Sequence, residues 1–255
     1  EEIIVHGLDG EIFIAPPPEI LETYRDAIAA RVTLLARYDD MRDKPAITKD
    51  GVKIELVVNG GLAMDIEGMH RTGAAGVGLF RTEFQFMISK TLPRVRAQAQ
   101  FYKSIIDSAR NKPVTFRTLD IGGDKEVSFL KRDHEENPAL GWRAIRIGLD
   151  RPALLRYQLR ALITAAADTT LRIMFPMITN VEEFKLAKAI LEKELSRHQR
   201  NKRPMPKDIK VGTMLEVPSL VWQLDELLPL VDFVSIGSND LMQFFYACDR
   251  ENPKM

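Results

Sequence analysis

Between Ile54 and Gly237, short apolar runs recur along the chain, separated by longer stretches whose apolar positions follow a helical period. The runs are IELVVN (54–59), VGLFR (77–81), VTFRTLD (114–120), LRIMFPM (171–177), KVGTMLE (210–216) and DFVSIG (232–237). They are rich in β-branched and aromatic residues and show little polar alternation. That pattern predicts strands covered on both faces, hence a parallel sheet packed by helices and an α/β fold.

The ends of the runs narrow the architecture. Almost every one delivers a polar or charged residue at its C-terminal edge: Asn59, Arg81, Arg117 with Asp120, Glu216, then Asn239 and Asp240. Convergence of many strand ends on one rim is natural for a (β/α)8 TIM-type barrel, whereas an open doubly wound sheet gathers its ligands at a switch point. Six runs fall short of eight. At the usual size of about 250 residues, a full barrel would need on the order of 60 more, so the barrel is expected to lack its last strands.

The N-terminal stretch reads differently. Residues 3–14 (IIVHGLDGEIFI) predict two short strands around the Asp9-Gly10 turn, too small for a domain and expected to be the remnant of a larger one. After Pro16-Pro17-Pro18, residues 19–40 place Ile20, Leu21, Tyr24, Ile28, Leu34, Leu35 and Tyr38 near one helical stripe. The expected organisation is a remnant at 1–16, a linker helix at 17–45 and a C-terminally incomplete barrel at 46–255. Thr179 and Glu182 form a T-x-x-E capping-box pattern ahead of a further helix, whose basic end RHQRNKRPMPK (197–207) fits a solvated helix terminus better than a nucleic-acid contact.

Charge and composition then exclude some partners. Thirty-six basic residues balance thirty-six acidic ones, so no global field draws the chain to nucleic acid or membrane, and any anion site must be local. No apolar run approaches the roughly 20 residues of a membrane span. The single cysteine, Cys248, excludes an internal disulfide and fits a reducing compartment; a cytoplasmic location is expected.

Two arginines carry the first chemical signal. Arg81 and Arg117 sit at or within apolar strands, where an unpaired guanidinium is costly to bury. Ion pairs with Glu83 or Asp120 would satisfy them, and so would a bound anion, because the guanidinium fork matches phosphate oxygens. Glu216 and Asp240 are 24 residues apart, about one helix-plus-strand unit, a spacing that can bring two carboxylates together. Mg²⁺ commonly takes one or two carboxylates and completes its shell with water and substrate oxygens; a buried carboxylate-arginine network is the alternative. In GSND (237–240), Gly237 permits a tight turn and Asn239 adds a directional donor.

The ordered set GVGLFRTEF (76–84), RTLDIGGDK (117–125), NPALGWRAIR (137–146), LRIMFPM (171–177), MLEVP (214–218) and GSNDLMQ (237–243) resembles the enzyme I family of the phosphoenolpyruvate-dependent phosphotransferase system. The resemblance covers nearly the whole chain. Residues 3–14 are similar to the end of that family's phosphohistidine domain and 19–40 to its interdomain helix. FRTEFQFM and LEVPSLVW resemble the nitrogen-related branch.

This resemblance implies that Arg81, Arg117 and Arg250 bind the phosphoryl group of phosphoenolpyruvate, with Arg143 nearby. It implies that Glu216 and Asp240 hold Mg²⁺ and that Asn239 and the Asp240 backbone position the substrate. Lys125 in GGDK is either a further positive charge or a surface lysine. The implied reaction moves the phosphoryl group to a histidine, then to a histidine-bearing phosphocarrier protein, and releases pyruvate. The implied assembly is a homodimer.

None of His6, His70, His134 or His198 lies in the family's phosphohistidine motif, and Cys248 in YACDREN does not match the motif of its acid cysteine. Both groups are therefore expected outside this chain, with Cys248 a small packed residue and turnover beyond the reach of the fragment alone. Pyruvate phosphate dikinase and phosphoenolpyruvate synthase share the barrel and its arginine-carboxylate logic. MLEVP alone would also suit a magnesium aldolase or lyase barrel, and a non-catalytic phosphoenolpyruvate sensor is an alternative of another class.

Overall fold

A computed structural model of the chain describes residues 2–7, 9–122, 127–130, 134–250, 252 and 254. The chain divides into two compact units, Glu1–Glu55 and Leu56–Met255.

In the first unit, β1 (Ile3–His6) and β2 (Glu11–Ile14) pair antiparallel, with His6 opposite Glu11. Gly10 takes a left-handed φ of 71° in the connecting turn, a conformation open to glycine at no steric cost. Helix α1 (Pro18–Met41) follows, with Pro at its first position, where the missing N–H is no loss. Only the first part of the predicted stripe meets the hairpin: Tyr24 packs its ring against His6 and Phe13. Beyond that, Ile28, Leu34, Leu35 and Tyr38 are exposed within the unit, because a hairpin of two four-residue strands reaches along little of a 24-residue helix.

The second unit holds one six-stranded parallel sheet. In chain order its elements are β3 (Val58–Gly60), α2 (Ala63–Arg71), β4 (Val77–Arg81), α3 (Glu83–Met87), α4 (Val95–Ser108), β5 (Val114–Arg117), α5 (Ile145–Asp150), α6 (Pro152–Ala165), β6 (Thr170–Phe175), α7 (Val181–Arg200), β7 (Asp208–Leu215), α8 (Pro218–Val221), α9 (Leu224–Leu227), β8 (Phe233–Ile236) and α10 (Ser238–Tyr246). The strands lie side by side in sequence order, β3-β4-β5-β6-β7-β8, and every neighbouring pair is parallel. A doubly wound sheet reverses its order at a switch point. This sheet has no reversal: it curls as a partial TIM-type barrel with helices outside, so the α/β barrel reading holds.

The predicted run 54–59 is shorter in the structure. Ile54 donates its amide to Ala46 in a separate loop, and Leu56 and Val57 stay exposed; only the last residues join the sheet. The capping box is also displaced by one residue. The N-cap of α7 is Asn180, whose Oδ1 accepts the Glu183 amide, while the Glu183 carboxylate accepts the amide and hydroxyl of Thr179. Glu182 is solvent-facing, and asparagine ranks above threonine as an N-cap residue.

The core lies between sheet and helices. Phe80 of β4, Phe116 of β5 and Tyr102 of α4 stack edgewise with centroids 5.5 and 5.6 Å apart, and all three are fully buried. Leu155, Leu159 and Leu162 of α6 and Phe175 of β6 extend the same cluster. Each such side chain contributes about 1.5–3 kcal/mol by leaving water. This packing fixes the strand positions and therefore the rim on which they end.

Candidate active site

The C-terminal ends of the strands open into a cavity of about 530 Å³. Into it face four guanidinium groups, from Arg81, Arg117, Arg143 and Arg250, and the carboxylates of Asp120, Glu216 and Asp240; Asn59 and Asn239 also line it. All the residues singled out on the rim thus share one cavity. Lys125 lies outside the described residues.

Arg81 and Arg117 are opposite one another in register on β4 and β5, so their side chains leave the same face of the sheet. Their surroundings differ. Arg117 is buried, contacts Glu83 and lies 3.2 Å from Asp120. Burial works against its charge, but Glu83 and Asp120 outweigh that and raise its pKa. Arg81 is exposed to the cavity, sits 5.6 Å over the Phe84 ring and makes no ion pair among the described residues. The ion pairs expected for such buried guanidiniums are thus present at Arg117, while Arg81 makes none among the described residues.

Arg143 continues the row. It donates to both Asp120 oxygens at 3.1 Å and lies 3.5 Å from Asp240. Its backbone packs against Gly122, where φ is +107° and a Cβ would fall 2.7 Å from the Arg143 Cα. Glycine permits that close approach. Arg250 donates to Asp240 at 3.0 Å while remaining half exposed.

Glu216 follows β7 and is 1% exposed. Its Oε1 accepts the Met177 amide at 2.6 Å, an amide turned inward by a left-handed φ of 57° at the end of β6. Sequence reasoning missed Met177, since nothing in its side chain signals a positive φ. Gly237 lies against the same carboxylate; a Cβ there would come 2.5 Å from Oε2. Burial, partly offset by the Met177 bond and reinforced by Asp120, raises the Glu216 pKa to about 7. Asp240 lies in the first turn of α10, where the helix's first amides have no intrahelical partner. Two neighbouring carboxylates, one buried with no ion pair among the described residues, fit the donor set of a hard divalent cation.

The remaining candidates are elsewhere. Among the described residues no histidine lines this cavity. His6 pairs with Asp9, and His70 and His198 bond backbone carbonyls of Ser108 and Pro204. Cys248 is half-buried rather than packed, with its thiol toward the Tyr246 carbonyl, on the wall of an adjoining cavity.

Residues 35–255 match the family model of the PEP-utilising enzymes' PEP-binding domain. The chain belongs to this family. Over 253 residues it is 42% identical to the phosphoenolpyruvate-protein phosphotransferase of Bacillus sp. (strain S) and 41% identical to that of Bacillus subtilis (strain 168). It is 39% identical over 255 residues to the protein of the same name from Enterococcus faecalis (strain ATCC 700802 / V583). Each alignment covers 99% of this chain and 44% of the relative. The chain therefore spans less than half the length of the curated relatives it matches. Within the PEP-binding family, the arginine row and the carboxylate pair are what this chain presents at its sheet's open rim.

Proposed function

We propose that this chain forms the phosphoenolpyruvate site of a Mg²⁺-dependent phosphotransferase. The observation that carries the reading is the single cavity in which four guanidinium groups meet the Glu216–Asp240 carboxylates. Such a cavity matches a small ligand carrying both a phosphate and a carboxylate.

In this reading Arg81 and Arg117 grip the phosphoryl oxygens from adjacent strands, and Arg250 and Arg143 close the opposite side. Asn239 and the first amides of α10 hold the substrate carboxylate. Glu216 and Asp240 would hold Mg²⁺, which supplies charge neutralisation on phosphate and enolate oxygens when bound. The guanidiniums stay fixed as charge redistributes during in-line transfer, so stabilisation needs no reorganisation. The bond from phosphorus to the enol oxygen breaks as one forms to an imidazole nitrogen, and the enolate takes a proton to become pyruvate. The accepting histidine comes from outside this cavity, and the phosphoryl group then passes to a histidine-bearing carrier protein.

Family membership supports extending the proposal to a homodimer in the cytoplasm. No helix among the described residues is long and apolar enough to cross a membrane.

Calorimetric titration of the chain with phosphoenolpyruvate tests the reading. Binding that requires Mg²⁺ and disappears in Arg81→Ala supports it; no binding overturns it. After incubation with both ligands, the chain should carry no phosphohistidine, and finding one on any of its four histidines would overturn the assignment of the acceptor to another segment.

A further inference from the structure

Behind the arginine pair lies a closed set of hydrogen bonds among side chains that do not touch the cavity. Strands β4 and β5 end at Arg81 and Arg117, so the backbone ladder stops at the residues whose spacing matters most. Thr82 follows Arg81, and its hydroxyl donates to the Arg117 carbonyl at 3.0 Å. The Gln158 amide, from α6, donates to that same hydroxyl at 2.9 Å and to the Tyr102 hydroxyl at 3.3 Å. Its carbonyl oxygen accepts the Leu119 amide at 2.8 Å, two residues beyond Arg117. Gln158 and Thr82 are each 1% exposed and Tyr102 is fully buried.

We infer that Gln158 is a positioning residue that sets the spacing of Arg81 and Arg117 by stitching the exits of β4 and β5 together; this rests on the reading of the cavity given above. The chemistry asks for this side chain. The Leu119 N–H can only donate, so it faces the amide oxygen, and the NH2 is thereby turned toward Thr82. The Thr82 hydroxyl spends its own proton on the Arg117 carbonyl and needs a donor in return. A carboxylate at 158 would offer no donor, and an ammonium no acceptor. The anchor itself is rigid, because Leu155, Leu159 and Leu162 bury the same helix in the core. An apolar side chain of similar volume would fill the space but leave the Leu119 amide without its acceptor and the Thr82 and Tyr102 hydroxyls without the Gln158 donor.

Three variants test the inference: Gln158→Met, Thr82→Val and Thr82→Ser. Each is checked for folding by circular dichroism and chemical denaturation. Affinities are then measured for phosphoenolpyruvate with Mg²⁺, and for Mn²⁺ alone by water-proton relaxation. Breaking these bonds frees the two strand exits to shift, so Gln158→Met and Thr82→Val are expected to weaken phosphoenolpyruvate about tenfold or more. Mn²⁺ affinity should not move, since its carboxylates stand after β7 and on α10. Thr82→Ser, which keeps the hydroxyl, should match the parent, and the double variant Gln158→Met/Thr82→Val should be no weaker than either single, as expected of one chain of bonds.

Unchanged phosphoenolpyruvate affinity in folded Gln158→Met and Thr82→Val overturns the inference. So does a parallel loss of Mn²⁺ affinity, or a Thr82→Ser protein that behaves like Thr82→Val. If Gln158→Met fails to fold, the Thr82 pair decides. A parent chain that binds no phosphoenolpyruvate overturns the reading of the cavity and this inference together, whereas a binding parent with indifferent variants overturns this one alone.

Discussion

Arg81 and Arg117 stand opposite each other on neighbouring strands, yet Arg117 is held by Glu83 and Asp120 while Arg81 has no ion-pair partner among the described residues. The two should therefore fail differently when truncated. Arg117→Ala removes the charge that compensates buried carboxylates and should destabilise the fold by about 3–5 kcal/mol. Arg81→Ala touches only an exposed guanidinium and should shift stability by less than about 1 kcal/mol while abolishing phosphoenolpyruvate binding. Urea denaturation paired with calorimetric titration separates the two effects. Equal destabilisation by both would contradict the division of labour.

This division also marks how far sequence reasoning reaches. The apolar runs announced every strand of the sheet, and the charged residues at their ends marked the rim, because buried strands and exposed strand ends place opposite demands on side chains. Whether Arg117 met a carboxylate or a ligand stayed open, since Glu83 lies on a neighbouring strand's exit and only the β4–β5 register brings the two together. Gln158 and Thr82 carried no signal at all: a glutamine on a helix looks solvated until the tertiary fold buries it. The stripe on α1 misled for the converse reason, because periodicity shows which face can be buried and not whether anything covers it.

Glu216 makes a prediction about pH. Its native pKa is raised from 4.5 to about 7, chiefly by burial. The native state therefore holds a proton that the unfolded chain has already released between these values. Stability from this group is fully present below about pH 4.5 and is lost as pH rises through 7. Glu216→Gln, uncharged throughout, should be more stable than the parent at pH 8 by on the order of 3 kcal/mol in the absence of metal, and nearly equal to it at pH 4.5. Because a cation must displace that proton, Mn²⁺ affinity of the parent should fall as pH drops below 7. Denaturation midpoints and metal titrations at pH 5, 6, 7 and 8 check both trends, and a pH-independent difference between parent and variant would count against them.

The cap of α7 yields a smaller, local effect. Asn180 satisfies the Glu183 amide, and Glu183 in turn satisfies Thr179. Asn180→Ala should cost about 1 kcal/mol, whereas Thr179→Val should cost less, since the Thr179 amide keeps its acceptor. Had the cap been Thr179, as the T-x-x-E spacing suggests, the order would reverse; thermal unfolding of the two variants distinguishes the cases.

Glu194 supplies the opposite sign of pH dependence to Glu216. It is 1% exposed on α7 and accepts from Arg156 at 2.6 Å and Arg160 at 2.9 Å, both on α6. Burial pushes its pKa up, but the two arginine hydrogen bonds prevail and lower it. A carboxylate with a depressed native pKa contributes stability above the ordinary carboxylate range and loses it as pH falls through the native value. Arg160 is mostly buried and Arg156 is half exposed, so the two pairs are unequal. Arg160→Ala should destabilise by about 1–3 kcal/mol, and Arg156→Ala by about 1 kcal/mol or less after solvent screening. Glu194→Gln should remove the acid-side loss attributable to this cluster, so its stability relative to the parent should improve as pH falls from 5 to 3. Guanidinium chloride would screen these ion pairs, so urea is the denaturant of choice. A parent-minus-variant difference that stays constant over that acid range would mean that the α6–α7 contact is held by its apolar neighbours alone.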